Sequence, residues 1–574
     1  MSRRAMAVVA LGLALGCAGC TGIPTTGQVE SEPRRIVDDG QGSITVVPQP
    51  PPHGARPEMI ITGFLTAMAS YGSDYATARE YLTEVAAQQW SPESEVLIYA
   101  SGTTPRAVGN QWILQGQRIG RIRSDGSFEA AQDTAWTHDF GMSLEDGEWR
   151  ISHPPAGLAL SQFMFAQSFT RVDAYFFADP RASLVPDTRY FARGAWDRTM
   201  AARLVLDGPS QWLAGIVDHS GYDAITIDGD VVLSAEGTAE VPLSVNARTL
   251  GLDVITDLAI EIAATMRDLP GVTSLRLMCE GEPLALGGAG ADSALPLSIT
   301  DALDFGRGGD PESLVWVRDG ILYTSQSGTS GPLGGDWGVS PREVTALAMR
   351  ADRVAAVTPE GLLMGVSSSS DPPVLHLLGE DLVTPQFTSR GDLWVATSAG
   401  TMVVFGGWGE PVSIDLDHGD IRGFRVSPDG YRILLITDVD PPGEMARQEL
   451  SVALISYEGG EPVAITSPQS VRLTWEGAPI TSIIDAAWAG PSSLLFLGNS
   501  GLNPTEIFIT DVDGLVMAEV GYPQAWSPVH MATHQGGRTP QISVLDGDGT
   551  VWVYQEGYRW SLFAHGISAI TYPV

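Results

Sequence analysis

The chain has 574 residues, of which 44% are hydrophobic and 18% are charged, a composition typical of a folded protein with several domains. Its 33 basic and 68 acidic residues give a formal net charge of −35, which argues against nucleic-acid binding because phosphate neutralisation needs a basic surface. Every basic side chain is arginine, which excludes P-loop and Schiff-base lysines, and three cysteines exclude a disulfide framework or a cysteine zinc site.

The N-terminus carries a targeting signal. Two arginines precede an apolar stretch over residues 5–16, which is too short to span a bilayer and has the length of a signal-peptide core. Ala18 and Gly19 then precede Cys20, and this arrangement resembles a bacterial lipobox, in which the cysteine thiol receives diacylglycerol. Cys20 is therefore the predicted lipidation site, although Cys17 stands where leucine is usual and is the alternative acceptor. An ordinary secretory signal with incidental cysteines is the competing interpretation.

We therefore predict a lipoprotein signal peptide over residues 1–19 and a disordered tether over residues 20–55. The tether is rich in Thr, Gly, Pro and Gln, lacks an apolar period, and ends in the stiff run Pro48-Gln-Pro-Pro-Pro52.

Residues 56–165 are predicted to form an α+β domain in which helices precede a sheet. Asp74 is expected to be the N-cap of a second helix that runs through Leu82. Several strand-like segments follow and end at Trp149-Arg-Ile151, and this order resembles the nuclear-transport-factor-like cone. A first helix should open at Pro57 and have one apolar face, formed by Met59, Ile60, Phe64, Leu65 and Met68.

Residues 166–290 are predicted to form a second α+β domain, which begins with a hairpin around Asp179-Pro180. The segment Leu204-Val-Leu-Asp-Gly-Pro-Ser210, followed by apolar strands up to Leu243, resembles the GerMN module of sporulation and germination proteins. A glycine-rich linker, Leu286-Gly-Gly-Ala-Gly290, marks its end. The remaining expected elements are strands over 224–227, 231–233, 239–243 and 272–278 and helices over 196–206 and 258–269.

Residues 291–574 are predicted to form an all-β propeller of about six blades. Six short apolar bursts recur, and the first four are close to 40 residues apart, which is the length of a four-stranded blade. Most of the tryptophans here are expected to pack between blades. The competing fold is a β-sandwich with coincidental spacing. The bursts are 314–317, 354–357, 393–396, 433–436, 494–497 and 551–554.

The sequence offers weak candidates for metal binding and none for catalysis that forms a nucleophile, a base and an orienting group. His530 and His534 have the spacing of two ligands on a helix face, but we expect them to be loop residues because the region is all-β. Asp415, Asp417, His418 and Asp420 are interpreted as a solvated loop, and Asp511-Val-Asp-Gly514 and Asp546-Gly-Asp-Gly549 as hairpin turns that need no ion. We therefore predict no catalytic residue, no metal and no cofactor.

Taken in order, the lipobox, the two α+β domains and the propeller resemble the actinobacterial LpqB lipoprotein family. Further points of likeness are Cys20-Thr-Gly-Ile-Pro-Thr-Thr26, residues 57–65, Ala78-Arg-Glu-Tyr-Leu-Thr83 and Leu206-Asp-Gly-Pro-Ser210. The resemblance implies a protein held on the extracytoplasmic face of the cell membrane by lipid on Cys20. It also implies binding to the extracytoplasmic domain of the sensor kinase MtrB and modulation of the MtrAB two-component system, which influences cell-envelope and cell-division signalling.

The sequence is also compatible with two other functions. The protein could hold a cell-wall glycan or peptide in the propeller channel or between domains. It could also be a propeller hydrolase with a metal held by Asp, Asn or His around the channel. The sequence does not identify a small-molecule ligand.

Overall fold

The computed structural model describes residues 48–574, except 132–133, 179–182, 220, 291–292, 304–312, 327–328, 379–380, 408, 417–419, 440–446, 476, 501–503, 524–525, 535–539 and 556–558. The described chain is mostly β-structure with few helices, and its C-terminal part is a domain of the β-propeller type. The predicted signal peptide and nearly all of the tether lie outside the described residues.

The N-terminal part begins with short helices and continues as a sheet. In the sheet, the strand order is β2-β3-β1-β8, with β4 and β5 also paired to β3, while β6 and β7 form a separate hairpin. The elements are α1 (Pro57–Ala67), α2 (Ala76–Arg79), α3 (Glu84–Gln89), β1 (Val96–Tyr99), β2 (Arg106–Val108), β3 (Gln111–Ile122), β4 (Phe128–Ala130), β5 (Ala135–Asp139), β6 (Met142–Glu145), β7 (Glu148–Ile151), β8 (Leu158–Ser161) and α4 (Gln162–Ser168).

Two details of the predicted helices are wrong. Met59 on α1 is 48% exposed, because the buried face of this helix is turned toward Ile60, Ile61 and Phe64. Asp74 does not cap a helix, since it has a left-handed φ of 57°, and α2 ends before Leu82.

The middle part combines a hairpin, two helices and a small sheet. The parallel strands β12 and β13 are joined by the buried helix α6, and β15 pairs with β13, so the strand pairing of this unit continues beyond residue 290. The predicted strand over 224–227 is wrong, since Ile227 makes only an isolated bridge to Leu243. The elements are β9 (Phe169–Phe177), β10 (Leu184–Ala192), α5 (Arg198–Asp207), β11 (Val232–Leu233), β12 (Thr238–Leu243), α6 (Leu252–Met266), β13 (Ser274–Cys279), β14 (Glu282–Pro283) and β15 (Leu295–Pro296).

Local sequence explains both long helices of the middle part. Asp197 accepts a hydrogen bond from the backbone N–H of Met200 and so caps α5, which stops at Gly208, a residue with a φ of 91° that favours glycine. In α6, apolar residues at helical spacing, Ile255, Leu258, Ile262 and Met266, are all buried.

The C-terminal strands form six four-stranded antiparallel sheets among the described residues, with an extra hairpin of β31 and β32. The strands of the first three sheets are β16 (Val315–Arg318), β17 (Ile321–Gln326), β18 (Thr329–Pro332), β19 (Ala346–Arg350), β20 (Arg353–Thr358), β21 (Gly361–Val366), β22 (Val374–Leu378), β23 (Leu382–Phe387), β24 (Leu393–Thr397), β25 (Thr401–Phe405) and β26 (Pro411–Asp415). The others are β27 (Ile421–Val426), β28 (Arg432–Val439), β29 (Arg447–Glu458), β30 (Glu461–Ser470), β31 (Thr474–Trp475), β32 (Ala478–Pro479), β33 (Ser482–Gly490), β34 (Ser493–Asn499), β35 (Glu506–Asp511), β36 (Met517–Glu519), β37 (Pro528–His534), β38 (Gln541–Asp546), β39 (Val551–Gln555), β40 (Arg559–Ala564) and β41 (Ile567–Thr571).

The innermost strands of these sheets form a closed ring. The last strand, β41, completes the first sheet by pairing with β16, and around the ring each inner strand contacts the next: β41, β19, β23, β27, β33, β37 and again β41. Each innermost strand is the end strand of its own sheet, so closing the ring gathers six short sheet edges at the centre, where the neighbouring sheets protect them.

The repeat in the sequence corresponds to the second strand of each sheet, with one exception. The first five bursts fall on β16, β20, β24, β28 and β34, whereas 551–554 falls on β39, the third strand of its sheet. The second strand of the last sheet is β38, so the predicted spacing between the fifth and sixth apolar segments is too long. Tryptophans Trp316, Trp394 and Trp488 are buried in clusters that join neighbouring sheets, as predicted.

Candidate functional site

A cavity occupies the centre of the strand ring. It has a volume of about 150 Å³, and residues from all six innermost strands or the turns beside them line it. Polar groups such as Arg425 and His530 alternate there with apolar ones such as Trp488, Met531 and Tyr572.

One wall of this cavity is built on a buried carboxylate. Asp485 on β33 accepts hydrogen bonds from the backbone N–H of Met531 at 2.9 Å and from Arg425 Nη2 at 3.2 Å, and its Oδ2 lies 2.7 Å from His530 Nδ1. Burial raises the pKa of Asp485, but the charges of Arg425 and His530 and the hydrogen bonds from His530 and Met531 outweigh it and lower the pKa to about 2. Asp485 is therefore ionised and holds the His530 ring by its Nδ1 edge.

The prediction that His530 and His534 are loop residues is wrong. Both lie on strand β37, where residues four apart share a face but are too distant to ligate one ion. Sequence reasoning missed Asp485 and Arg425, although a single acidic residue within the apolar segment Ser482-Ile-Ile-Asp-Ala-Ala-Trp488 was an available signal.

The other candidate acidic positions lie away from this cavity. Asp415 ends β26 and Asp420 precedes β27, while Asp417 and His418 lie outside the described residues. Asp546 begins the turn between β38 and β39 and accepts a hydrogen bond from the backbone N–H of Ser527, as a turn residue does. Within the described ranges, no three His, Cys, Asp or Glu side chains are grouped so that they could hold a metal ion.

A second polar cluster joins the propeller to the middle part. Tyr190 on β10 is buried, and its hydroxyl oxygen lies 3.0 Å from Oδ2 of both Asp511 and Asp513, in the turn after β35. Burial and the adjacent charge of Asp511 raise the pKa of Asp513 well above its usual range. Because a phenol has only one proton, the arrangement is satisfied when neutral Asp513 donates to Tyr190, which donates to ionised Asp511.

Further hydrogen bonds cross the same junction. Arg171 Nη1 donates to the carbonyl of Ser492, Gln162 donates to the carbonyl of Leu515, and the indole N–H of Trp212 donates to the carbonyl of Ser467. Leu515 also belongs to the apolar core of the N-terminal part. The N-terminal and middle parts are thus packed on the propeller through buried groups that sequence reasoning did not identify.

The predicted lipidation residue Cys20 and its alternative Cys17 lie outside the described residues. In the part of the chain that is described, no helix has the length and apolar character to cross a membrane.

Comparison with known proteins identifies the family. The model of the lipoprotein LpqB N-terminal domain matches residues 50–166, and that of the lipoprotein LpqB β-propeller domain matches residues 301–574. Lipoprotein LpqB of Cutibacterium acnes is 28% identical over 603 residues, covering 99% of this chain and 98% of the relative, and that of Streptomyces avermitilis is 28% identical over 620 residues, covering 98% of each.

Among solved structures, TolB from Acinetobacter baumannii is similar with a TM-score of 0.35 and 13% identity, covering 60% of this chain and 98% of TolB. The two family models and the relatives that align over nearly the whole chain agree, and the chain belongs to the LpqB lipoprotein family.

Proposed function

We propose that this protein is an accessory lipoprotein, anchored by lipid on Cys20 to the extracytoplasmic face of the cell membrane, that binds the extracytoplasmic domain of the sensor kinase MtrB and modulates MtrAB signalling. Family membership supports the accessory role. The observation that carries the proposal is the buried junction around Tyr190, because it joins the propeller and the preceding parts into one packed body that a partner can bind as a unit. Its action is binding rather than catalysis.

The proposal extends to the parts of the fold. Each four-stranded sheet would be one blade of a six-bladed propeller, residues 56–165 would form a cone of the nuclear-transport-factor-like type, and residues 166–290 a GerMN-like domain. Fold alone does not fix function, so the binding test decides.

The test is a pull-down of the full-length protein with the purified MtrB extracytoplasmic domain from the same organism at physiological salt, combined with kinase output in a deletion strain. We expect retention of the kinase domain and a changed output. Absence of retention together with unchanged output would overturn the proposal.

The cavity in the strand ring favours a second candidate function, binding of a cell-wall glycan or peptide. The supporting observation is that buried Asp485 orients the polar group of His530 beside an apolar wall. Calorimetry with soluble cell-wall fragments tests it, and fragments that release no heat and cause no thermal shift would exclude it. Metal analysis of protein kept free of chelator tests the remaining alternative, a propeller hydrolase.

A further inference from the structure

The end of the tether lies against the N-terminal part of the chain and is attached there at two points. The hydroxyl of Tyr81 donates a hydrogen bond to the carbonyl of Gln49 at 2.8 Å. Further along, the backbone N–H of Gly54 donates to the carboxylate of Glu148, at 2.9 Å from one oxygen and 3.2 Å from the other. The next residue, Ala55, is buried in the apolar core of this part.

Both attachment points are built on strand β7. Glu148 is the first residue of β7, and the carbonyl of Tyr81 accepts a hydrogen bond from the N–H of Ile151, the last residue of the strand, at 2.9 Å. The ring of Tyr81 crosses helix α1 at Gly63, where a methyl group would lie 2.5 Å from the phenol oxygen. A side chain at this position would displace the ring, so the glycine opens the path by which Tyr81 reaches the tether.

We call the site formed by Gly63, Tyr81 and Glu148 the tether groove. It gives a role to two segments that carry the family resemblance, because Gly63 belongs to residues 57–65 and Tyr81 to residues 78–83. The proposed function alone assigns no task to either segment.

The segment in the tether groove is chemically suited to it. Four of residues 48–52 are prolines, and proline has a fixed φ and no N–H. Such a run loses little conformational entropy when it is bound, and its carbonyl groups depend on outside donors such as the Tyr81 hydroxyl. A turn follows, in which Gly54 has a left-handed φ of 66° and the N–H of Ala55 donates to the carbonyl of Pro52.

We propose that the tether groove is a binding site for the proline run, residues 48–54, and that it fixes the point at which the lipid-anchored chain leaves the body. The inference rests on the proposed function for the lipid on Cys20, and it is independent of binding to the kinase. Holding these residues shortens the tether by about 25 Å of extended chain. The reach of the protein from the membrane decreases by the same amount.

The test measures hydrogen exchange on the millisecond scale at the amides of Gly54 and Ala55 in the full-length protein. The free peptide of residues 48–56 is the reference. We expect exchange in the protein to be at least about tenfold slower than in the peptide. Exchange as fast as in the peptide would overturn the inference.

Tyr81→Phe tests whether the run is bound as one segment. It removes the hydroxyl that holds Gln49, and exchange at Gly54 should become about three- to tenfold faster, because loss of one attachment point favours release of the whole segment. Tyr71→Phe, at a tyrosine of the same part that is 54% exposed, is the matched control and should exchange as the wild type does.

The outcomes separate the groove from the anchor. Unchanged exchange at Gly54 in Tyr81→Phe overturns the inference, since the two contacts would then be independent. The comparison of the wild type with the peptide remains decisive if Tyr81→Phe does not fold. Absence of palmitate on Cys20 would overturn the lipid anchor and leave binding of the run intact, whereas unprotected amides would overturn the groove and leave the anchor intact.

Discussion

Replacement of Tyr190 by phenylalanine tests the junction between the propeller and the preceding parts of the chain. The ring would stay in place, since it packs against Phe165 with centroids 5.4 Å apart, so the change removes only the hydroxyl. That hydroxyl contacts the carboxyl groups of buried Asp511 and half-buried Asp513. The variant therefore leaves two carboxyl groups without their shared partner.

The magnitude follows from these two contacts. A hydrogen bond to an ionised group contributes roughly 1.5–3 kcal/mol and one between neutral groups roughly 0.5–1.5 kcal/mol, so Tyr190→Phe should destabilise the junction by about 2–4 kcal/mol. Every 1.4 kcal/mol is about tenfold in an equilibrium constant, so local opening should become roughly 30- to 1000-fold more frequent.

Hydrogen exchange at the Leu515 amide is the appropriate assay. This N–H donates to Asp511 Oδ1 at 2.8 Å, inside the turn that Tyr190 holds, and global unfolding of a chain with several domains is not two-state. Tyr522→Phe, at a partly exposed tyrosine shortly after β36, is the control and should exchange as the wild type does. Exchange of Leu515 within about threefold of the wild-type rate in Tyr190→Phe would refute the reasoning.

Three other changes have defined outcomes. Cys20→Ser should abolish incorporation of labelled palmitate and Cys17→Ser should not, and equal labelling of the two variants would contradict the lipobox assignment. Arg432→Met should destabilise the propeller by about 3–5 kcal/mol and lower the temperature of its thermal transition, because it leaves Asp429, which the guanidinium contacts at 2.6 Å, buried without its counter-charge. Asp513→Asn should stabilise the protein increasingly as pH rises, since a carboxyl whose folded pKa is raised contributes its stability at low pH and loses it as pH increases through that pKa; a melting-temperature difference independent of pH would contradict this.

The propeller was predictable because its signals are local. An apolar strand next to a turn is visible within about ten residues, and the repeat recurs in register on five second strands. The sixth apolar segment was assigned to the wrong strand because Val551-Trp-Val-Tyr554 on β39 is more apolar than Gln541-Ile-Ser-Val-Leu-Asp546. The latter segment forms β38, which is the second strand of its sheet. Local hydrophobicity therefore identified that a strand is present but not which place the strand takes in its sheet.

The candidate site could not be predicted because its parts meet only when the ring closes. Asp485 and His530 are on the innermost strands of neighbouring sheets, and Arg425 reaches the same carboxylate from the sheet before. The hydroxyl of Tyr190 finds Asp511 across 321 residues of sequence. Spacing within a sequence carries no information about such pairs, so the sequence showed only the four-residue spacing of His530 and His534.

The use of arginine in this chain has a consequence for its partners. Three buried pairs, Arg189–Asp187, Arg432–Asp429 and Arg425–Asp485, each remove one positive and one negative charge from the surface. Because the chain has 33 basic and 68 acidic residues, each such pair leaves the remaining surface proportionally more acidic. A partner that binds this surface therefore needs basic groups, and such binding weakens as salt screens the attraction. By the same argument the acidic body is repelled by anionic lipid, so attachment to the membrane falls to the acyl chains on Cys20 that we propose.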